Sequence, residues 1–284
     1  MQEFATVEPL RGWVARQRQA GRRIGLVPTM GALHEGHLTL VDSAARLTDA
    51  VVVSIFVNPL QFGPHEDLSR YPRDLPRDRA LLAGRGAQAL FVPQVGVMYP
   101  TGSEIRVVPG GLATRWEGAV RPDHFTGVLT IVAKLFNLVQ PDLAVFGQKD
   151  IQQAVLIRQL VRDLDFPVAL EVVPIVREAD GMALSSRNAY LSSQDRRDGL
   201  ILSKALRAAD TAWRAGERNS IRLARLLEQQ FLAAPAVTLD YVAIVDSESL
   251  EPVTLASAGT IVALAARVGP TRLLDNHILG TEFR

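Results

Sequence analysis

The chain has 284 residues, 31 Lys and Arg against 30 Asp and Glu, and a formal net charge of +1. That length allows one large domain or two ordinary ones, and 48% apolar with 21% charged residues describes a soluble globular chain with material for a core. Near-neutrality argues against a general nucleic-acid binder, whose affinity accumulates from Lys and Arg, and the lack of cysteine excludes disulfides, thiolate metal sites and cysteine nucleophiles. The opening MQEFATVEPL lacks the basic-then-apolar layout of a signal peptide, and no apolar run approaches the ~20 residues that cross a bilayer. The expectation is a cytoplasmic protein with neither membrane nor nucleic-acid partner. Only three of the basic residues are lysines, Lys134, Lys149 and Lys204, so a lysine kept against that bias is a candidate for a specific task.

In chain order, residues 8–19 read as an amphipathic helix and 23–27 as a short buried strand. A loop with Gly and His leads to a helix over 35–47. The run AVVVSIFV at 50–57 is apolar on both faces, as an interior parallel strand requires. A helix at 72–83, a strand at 89–92, a helix at 125–139, a strand at 142–146, a helix at 151–164 and a strand at 169–176 follow. Strands separated by helices of this length predict βαβ units, hence an α/β protein with a Rossmann-like, doubly wound parallel sheet. Ligands of such sheets sit beyond the carboxyl ends of the strands. The pattern changes after residue 176. A polar stretch at 177–193 precedes helices at 196–215 and 221–233, then strands at 237–245, 259–268 and 272–278 with no helix between them. That order predicts a smaller α+β domain, with the division at 1–176 and 177–284.

Four segments carry candidate chemistry. The first is VPTMGALHEGH at 27–37, where a strand turns through Gly31 and a helix opens near Glu35. His34 and His37 then share one face of a helix start, Gly36 bares the backbone between them, and the free N–H groups favour an anion. About 0.006 such H-x-G-H matches are expected by chance in a chain of this composition, which favours a functional pair over two unrelated caps. A zinc site fits poorly, because the spacing is not H-E-x-x-H and no third ligand is evident. The second is FGQKD, with Gly147 allowing a tight turn and Lys149 presenting a compact cation suited to polyphosphate. The third is MALSSRN, in which Ser185, Ser186 and Arg187 could hold a transferring phosphate chain. The fourth is SIFVNPLQFG, in which Asn58 and Gln61 could read a small polar substrate. His124 reads as a helix-start residue and the charged run at 67–79 as a mostly solvated loop and helix face.

These segments, with HFTGVLTIVAKLFNLVQPDLAVFGQKDIQQ and DGMALSSRNAYLS, resemble the pantothenate synthetase (pantoate–β-alanine ligase) family of the HIGH-motif nucleotidyltransferases. The resemblance runs in colinear blocks from about residue 26 to 192. One position departs from the family's usual pattern: Gln148 stands where a glutamate is common. The resemblance implies an ATP-dependent ligase that joins pantoate to β-alanine through a pantoyl adenylate, releasing pyrophosphate and then AMP. It implies an ATP site of Pro28, Met30, Gly31, His34, Gly36, His37, Gly147, Lys149, Asp150, Val176, Met182, Leu184, Ser185, Ser186 and Arg187. His37, His34, Lys149 and Arg187 would be the catalytic members. Gln61, Asn58 and Gln153 would contact substrates, and no protein-held metal is expected. Mg²⁺ would accompany ATP, residues 177–284 would close over the site, and the assembly would be a cytoplasmic homodimer. Two rivals remain: a simple adenylyltransferase that needs no amine, and a non-enzymatic module that senses ATP.

Overall fold

A computed structural model describes residues 1–64 and 66–283. Its contacts separate two compact units: Met1–Gly147 with Leu156–Val173, and Gln148–Val155 with Pro174 onward.

The first unit is built on β1 (Gln2–Phe4), α1 (Val7–Gln19), β2 (Ile24–Thr29), α2 (Glu35–Leu47), β3 (Ala50–Ile55), α3 (Leu75–Leu82) and β4 (Ala87–Phe91). Short helices α4 (Val95–Met98) and α5 (Glu117–Val120) precede α6 (His124–Val139), β5 (Leu143–Gly147), α7 (Ile151–Asp163) and β6 (Ala169–Val173). The six strands are all parallel in the order β1-β4-β3-β2-β5-β6. From β2 the chain winds outward through β3 to β4, then returns to the other side of β2 with β5. Strand order therefore reverses between β2 and β5, which pair at Gly25↔Leu143 and Leu26↔Ala144. A doubly wound sheet leaves its ligand crevice at such a switch point.

Alternation along the buried strands explains the layers. Leu26, Val52, Phe91, Ala144 and Phe146 pack with Leu10 and Trp13 of α1, with α6, and with Leu156, Ile157 and Leu160 of α7. Val27, Val51, Val53, Leu90 and Val145 turn to the other face, against Leu38, Val41 and Ala44 of α2 and Leu82 of α3. A strand buried on both faces reads as a continuous apolar run, which is why 50–57 was legible. The expected 50–57 strand ends at Ile55, and the expected 72–83 helix begins only at Leu75, where Asp74 caps it by accepting from Arg77 N at 3.1 Å.

The second unit holds α8 (Ser193–Gly199), α9 (Ile201–Arg214) and α10 (Ser220–Leu232), followed by β7 (Val237–Val245), β8 (Ile261–Val268) and β9 (Thr271–Ile278) in an antiparallel sheet. Leu202, Leu206, Leu223 and Leu227 of the helices meet Ile244, Val262, Leu264 and Leu273 of the sheet. The single helix expected at 196–215 is instead two, joined at Leu200. A Cβ on Gly199 would stand 3.1 Å from Leu273 Cδ1 and 3.2 Å from Met182 Cε, so the glycine that weakens the helix also admits its neighbours.

His277 of β9 lies 3.1 Å from Asp210 of α9, both nearly buried. Burial lowers its pKa below the usual imidazole value, with Arg177 and Arg214 adding to the effect and Asp210 opposing it. The unfolded chain therefore binds a proton here more readily than the folded one, and stability falls as pH drops through the ordinary histidine range. Urea unfolding midpoints should fall less between pH 7.5 and 5.5 for His277→Gln than for the unmodified protein; equal falls would remove His277 from the acid response.

Candidate active site

β2 ends in a turn that needs glycine. Gly31 has φ +81°, and a Cβ there would lie 3.0 Å from both Asp78 Oδ2 and Ile55 Cγ2. Asp78, on α3 and almost wholly buried, accepts from Ala32 N at 3.0 Å and Leu33 N at 2.8 Å, while Arg77 Nη1 donates to Leu33 O at 3.2 Å. A buried carboxylate thus braces the turn immediately before His34. The charged run at 67–79, read as mostly solvated, hides this inward residue; an Asp three places into a helix between apolar Leu75 and Leu82 was the available signal.

His34 is the N-cap of α2 and forms a capping box with His37. Their rings are half-buried, with centroids 4.0 Å apart. His34 N donates to His37 Nδ1 at 3.4 Å, so a neutral His37 ring carries its proton on Nε2. The capping and functional readings of the pair are therefore compatible, because capping uses only one nitrogen of the His37 ring.

Gln61 is held from several sides. Asn58 Nδ2 donates to Gln61 Oε1 at 3.2 Å and to Gly127 O at 3.0 Å, and Asn58 Oδ1 accepts from Tyr99 Oη at 2.9 Å and Leu60 N at 3.3 Å. With Asn58 committed this way, Gln61 Nε2 faces Met30 Sδ, 2.9 Å away at the end of β2. Burial pushes the Tyr99 phenol up to about 12, against a smaller opposing effect of Arg106, so it remains a donor at neutral pH. His124 Nδ1 lies 2.8 Å from Gln61 O and Arg121 Nη2 donates to the same carbonyl at 3.3 Å. Arg121 in turn holds Glu66 at 2.5 and 2.9 Å. Burial alone would raise the Glu66 carboxyl; the Arg121 bond and charge, the His124 charge and the Gly63 amide outweigh it and hold it below the usual range. Tyr99, Arg121 and His124 are thus support residues that sequence reading missed or gave only a cap. Their partners lie about 40 to 60 positions away in the chain, beyond any local pattern.

Of the remaining expected residues in the first unit, Pro28 lies on β2, Gly36 in the first turn of α2 and Gly147 at the end of β5.

The second unit gathers another set. Gln148–Asp150 is one turn of 3₁₀ helix, and Gln153 is half-buried early in α7. Val176 O accepts from Leu184 N at 3.0 Å, and Arg177 bridges Ala183, closing a hairpin-like loop around Gly181 at φ +94°. That loop delivers Met182 and Leu184 to the start of the Ser-Ser-Arg segment, where the Ser185 side chain accepts from Arg187 N at 3.3 Å. Within the polar stretch, Ser186–Tyr190 forms a 3₁₀ turn. Lys149, Met182, Ser185 and Arg187 line one cavity of about 30 Å³, a water-sized space. Lys149 Nζ stands 3.9 Å from Asp150 Oδ1, and the Asp150 side chain is 52% exposed. Among the described residues, no group of three or more His, Asp or Glu is arranged around a metal position, and no helix is long and apolar enough to cross a membrane.

Comparison with known proteins agrees over nearly the whole chain. The family described as pantoate-beta-alanine ligase matches residues 2–278. A pantothenate synthetase of Moorella thermoacetica is 52% identical over 279 residues, 98% of this chain and 99% of its own. The crystal structure of pantothenate synthetase from Thermus thermophilus superposes with a TM-score of 0.93 at 49% identity, covering 98% of this chain and 99% of that one. Pantoate-beta-alanine ligase from Francisella tularensis, complexed with beta-gamma ATP and beta-alanine, gives 0.83 at 33% identity over 100% of each chain. These relatives favour a ligase over a simple adenylyltransferase or an ATP-sensing module.

Proposed function

The chain belongs to the pantoate-beta-alanine ligase family, and from that premise we propose which of its own residues carry the ATP-dependent joining of pantoate to β-alanine. The pantoate carboxylate attacks the α-phosphorus of ATP, the bond to pyrophosphate breaks, and pantoyl adenylate forms. The β-alanine amine then attacks the acyl carbon, loses a proton and expels AMP. Adenylation makes a leaving group of an oxygen that would otherwise depart as oxide. Its transition state spreads charge over phosphate oxygens, so donors and cations suffice without a covalent enzyme intermediate.

The observation that carries the reading is the His34–Gly36–His37 helix start at the carboxyl end of β2, beside β5 at the sheet's switch point. Pro28, Met30, Gly31, Gly36 and Gly147 would shape the ATP site on the first unit, with His34 and His37 donating to phosphate oxygens. Lys149, Ser185, Ser186 and Arg187 would supply the second group of phosphate donors, beside Val176, Met182 and Leu184. Gln61, held by Asn58, would contact pantoate and β-alanine, and Gln153 pantoate. Residues 1–176 would thus form the ATP- and pantoate-binding domain, and 177–284 would close over bound substrate. Mg²⁺ favours phosphate oxygens, water and one or two carboxylates; exposed Asp150 suits one such place, the phosphates supplying the rest, and the ion would neutralise triphosphate charge. A homodimer in the cytoplasm follows from the family resemblance and is checked by sedimentation and cell fractionation.

A product assay with ATP, pantoate and β-alanine, each omitted in turn, tests the reaction. Labelled pyrophosphate should exchange into ATP when pantoate alone is added, and AMP with pantothenate should accumulate only with all three. A folded sample that shows no pantoate-dependent exchange overturns the reading.

A further inference from the structure

The turn that presents Lys149 is tied to β9 through one buried side chain. Asn276 is 1% exposed, and its Nδ2 donates to Gln148 O and to Lys149 O, each at 3.0 Å. Its Oδ1 accepts from Gln148 Nε2, also at 3.0 Å. Backbone carbonyls only accept, so the amide of Asn276 has one possible orientation, and Gln148 must answer it with a hydrogen. The carbonyls of residues 148 and 149 belong to the two peptide planes that flank Lys149. Fixing both planes fixes the direction in which the Lys149 side chain leaves the backbone.

The anchor is itself rigid. Asn276 pairs with Ala263 of β8, and its N–H donates to Asp275 Oδ1 at 2.8 Å. Asp275 takes a bidentate pair from Arg177 at 2.6 and 2.9 Å, with side chains only 3% and 6% exposed. Asp275 also lines the cavity shared by Lys149, Ser185 and Arg187. We propose that Asn276 is a positioning residue for Lys149, holding it in register with Ser185 and Arg187 through the two carbonyls that bracket it. The proposal rests on the assignment of Lys149 to the adenylation step.

A double-mutant cycle on pantoate-dependent pyrophosphate exchange separates positioning from mere support of the sheet. Lys149→Ala should impair exchange. Asn276→Ala should lower it by about 10- to 100-fold, the scale of a displaced reacting group, and that loss should shrink to near nothing in the Lys149→Ala background. Gln148→Leu, a change at a half-buried side chain that removes one of the three bonds, should give a smaller loss that also vanishes without Lys149; it serves if Asn276→Ala does not fold. Equal losses in both backgrounds, or normal exchange in Asn276→Ala and Gln148→Leu beside an impaired Lys149→Ala, overturn the positioning role alone. Normal exchange in Lys149→Ala overturns the assignment of Lys149 and the proposal with it.

Discussion

His37→Ala should slow pantoate-dependent pyrophosphate exchange by about 10²-fold or more while leaving the chain folded. The proposed role gives the His37 ring two duties, one in the cap and one at the phosphates. Nδ1 accepts from the His34 amide at 3.4 Å, and the neutral tautomer this requires places the remaining proton on Nε2. Alanine removes both. Loss of a capping contact costs about 1 kcal/mol of stability, whereas a 10²-fold rate loss corresponds to about 2.7 kcal/mol in the transition state. Exchange rate and unfolding midpoint, measured on the same sample, therefore distinguish the duties. An unchanged rate with a lowered midpoint would leave His37 a cap and nothing more.

Gly127→Ala should destabilise the first unit by about 1–3 kcal/mol, or more, and weaken pantoate binding. Gly127 lies one turn into α6, where the helix presses on the segment carrying Gln61. A Cβ there would stand 2.3 Å from Leu60 O, 2.4 Å from Leu60 C and 2.6 Å from Gln61 N. All three are backbone atoms and cannot swing aside as a side-chain tip would. Relief requires the 58–61 segment to retreat, which strains the bond from Asn58 to Gly127 O and shifts Gln61 from Met30. Gly96→Ala is the control, since its Cβ would meet nothing within 4 Å. The KM for pantoate and the urea midpoint should both worsen in Gly127→Ala and hold in Gly96→Ala; a Gly127→Ala protein with both values intact would show that helix and loop can separate freely.

Elements carried by their own residues were legible. α2 over Glu35–Leu47 and β7 over Val237–Val245 announce themselves by periodicity and β-branching. β1 did not, because Gln2–Phe4 is too short for a pattern and exists only through its pairing with β4, about 87 residues away. The same division runs through the site. The His pair and the Lys149 turn are local motifs, readable from spacing. Asp78, Tyr99, Arg121 and Asn276 act on residues distant in the chain; Asp78 is hinted at by its place between Leu75 and Leu82, but nothing in the neighbours of Tyr99, Arg121 or Asn276 announces the partners they hold. Gln148 shows the limit most clearly: its departure from a family glutamate was visible, but only the structure reveals an amide partner that an ionised carboxylate, having no hydrogen to give, could not satisfy.

Lysine scarcity acquires a practical meaning once the three side chains are placed. Lys204 projects outward from α9, Lys134 donates to Met98 O beside the Tyr99 ring, and Lys149 is 21% exposed at its cavity. Burial, aided by Arg106, holds the Lys134 amine below the ordinary value. Acylating reagents thus meet one open lysine, one sheltered lysine and one, Lys149, at the cavity proposed to take phosphate, so peptide mass mapping with and without nucleotide becomes an occupancy gauge that needs no engineered label.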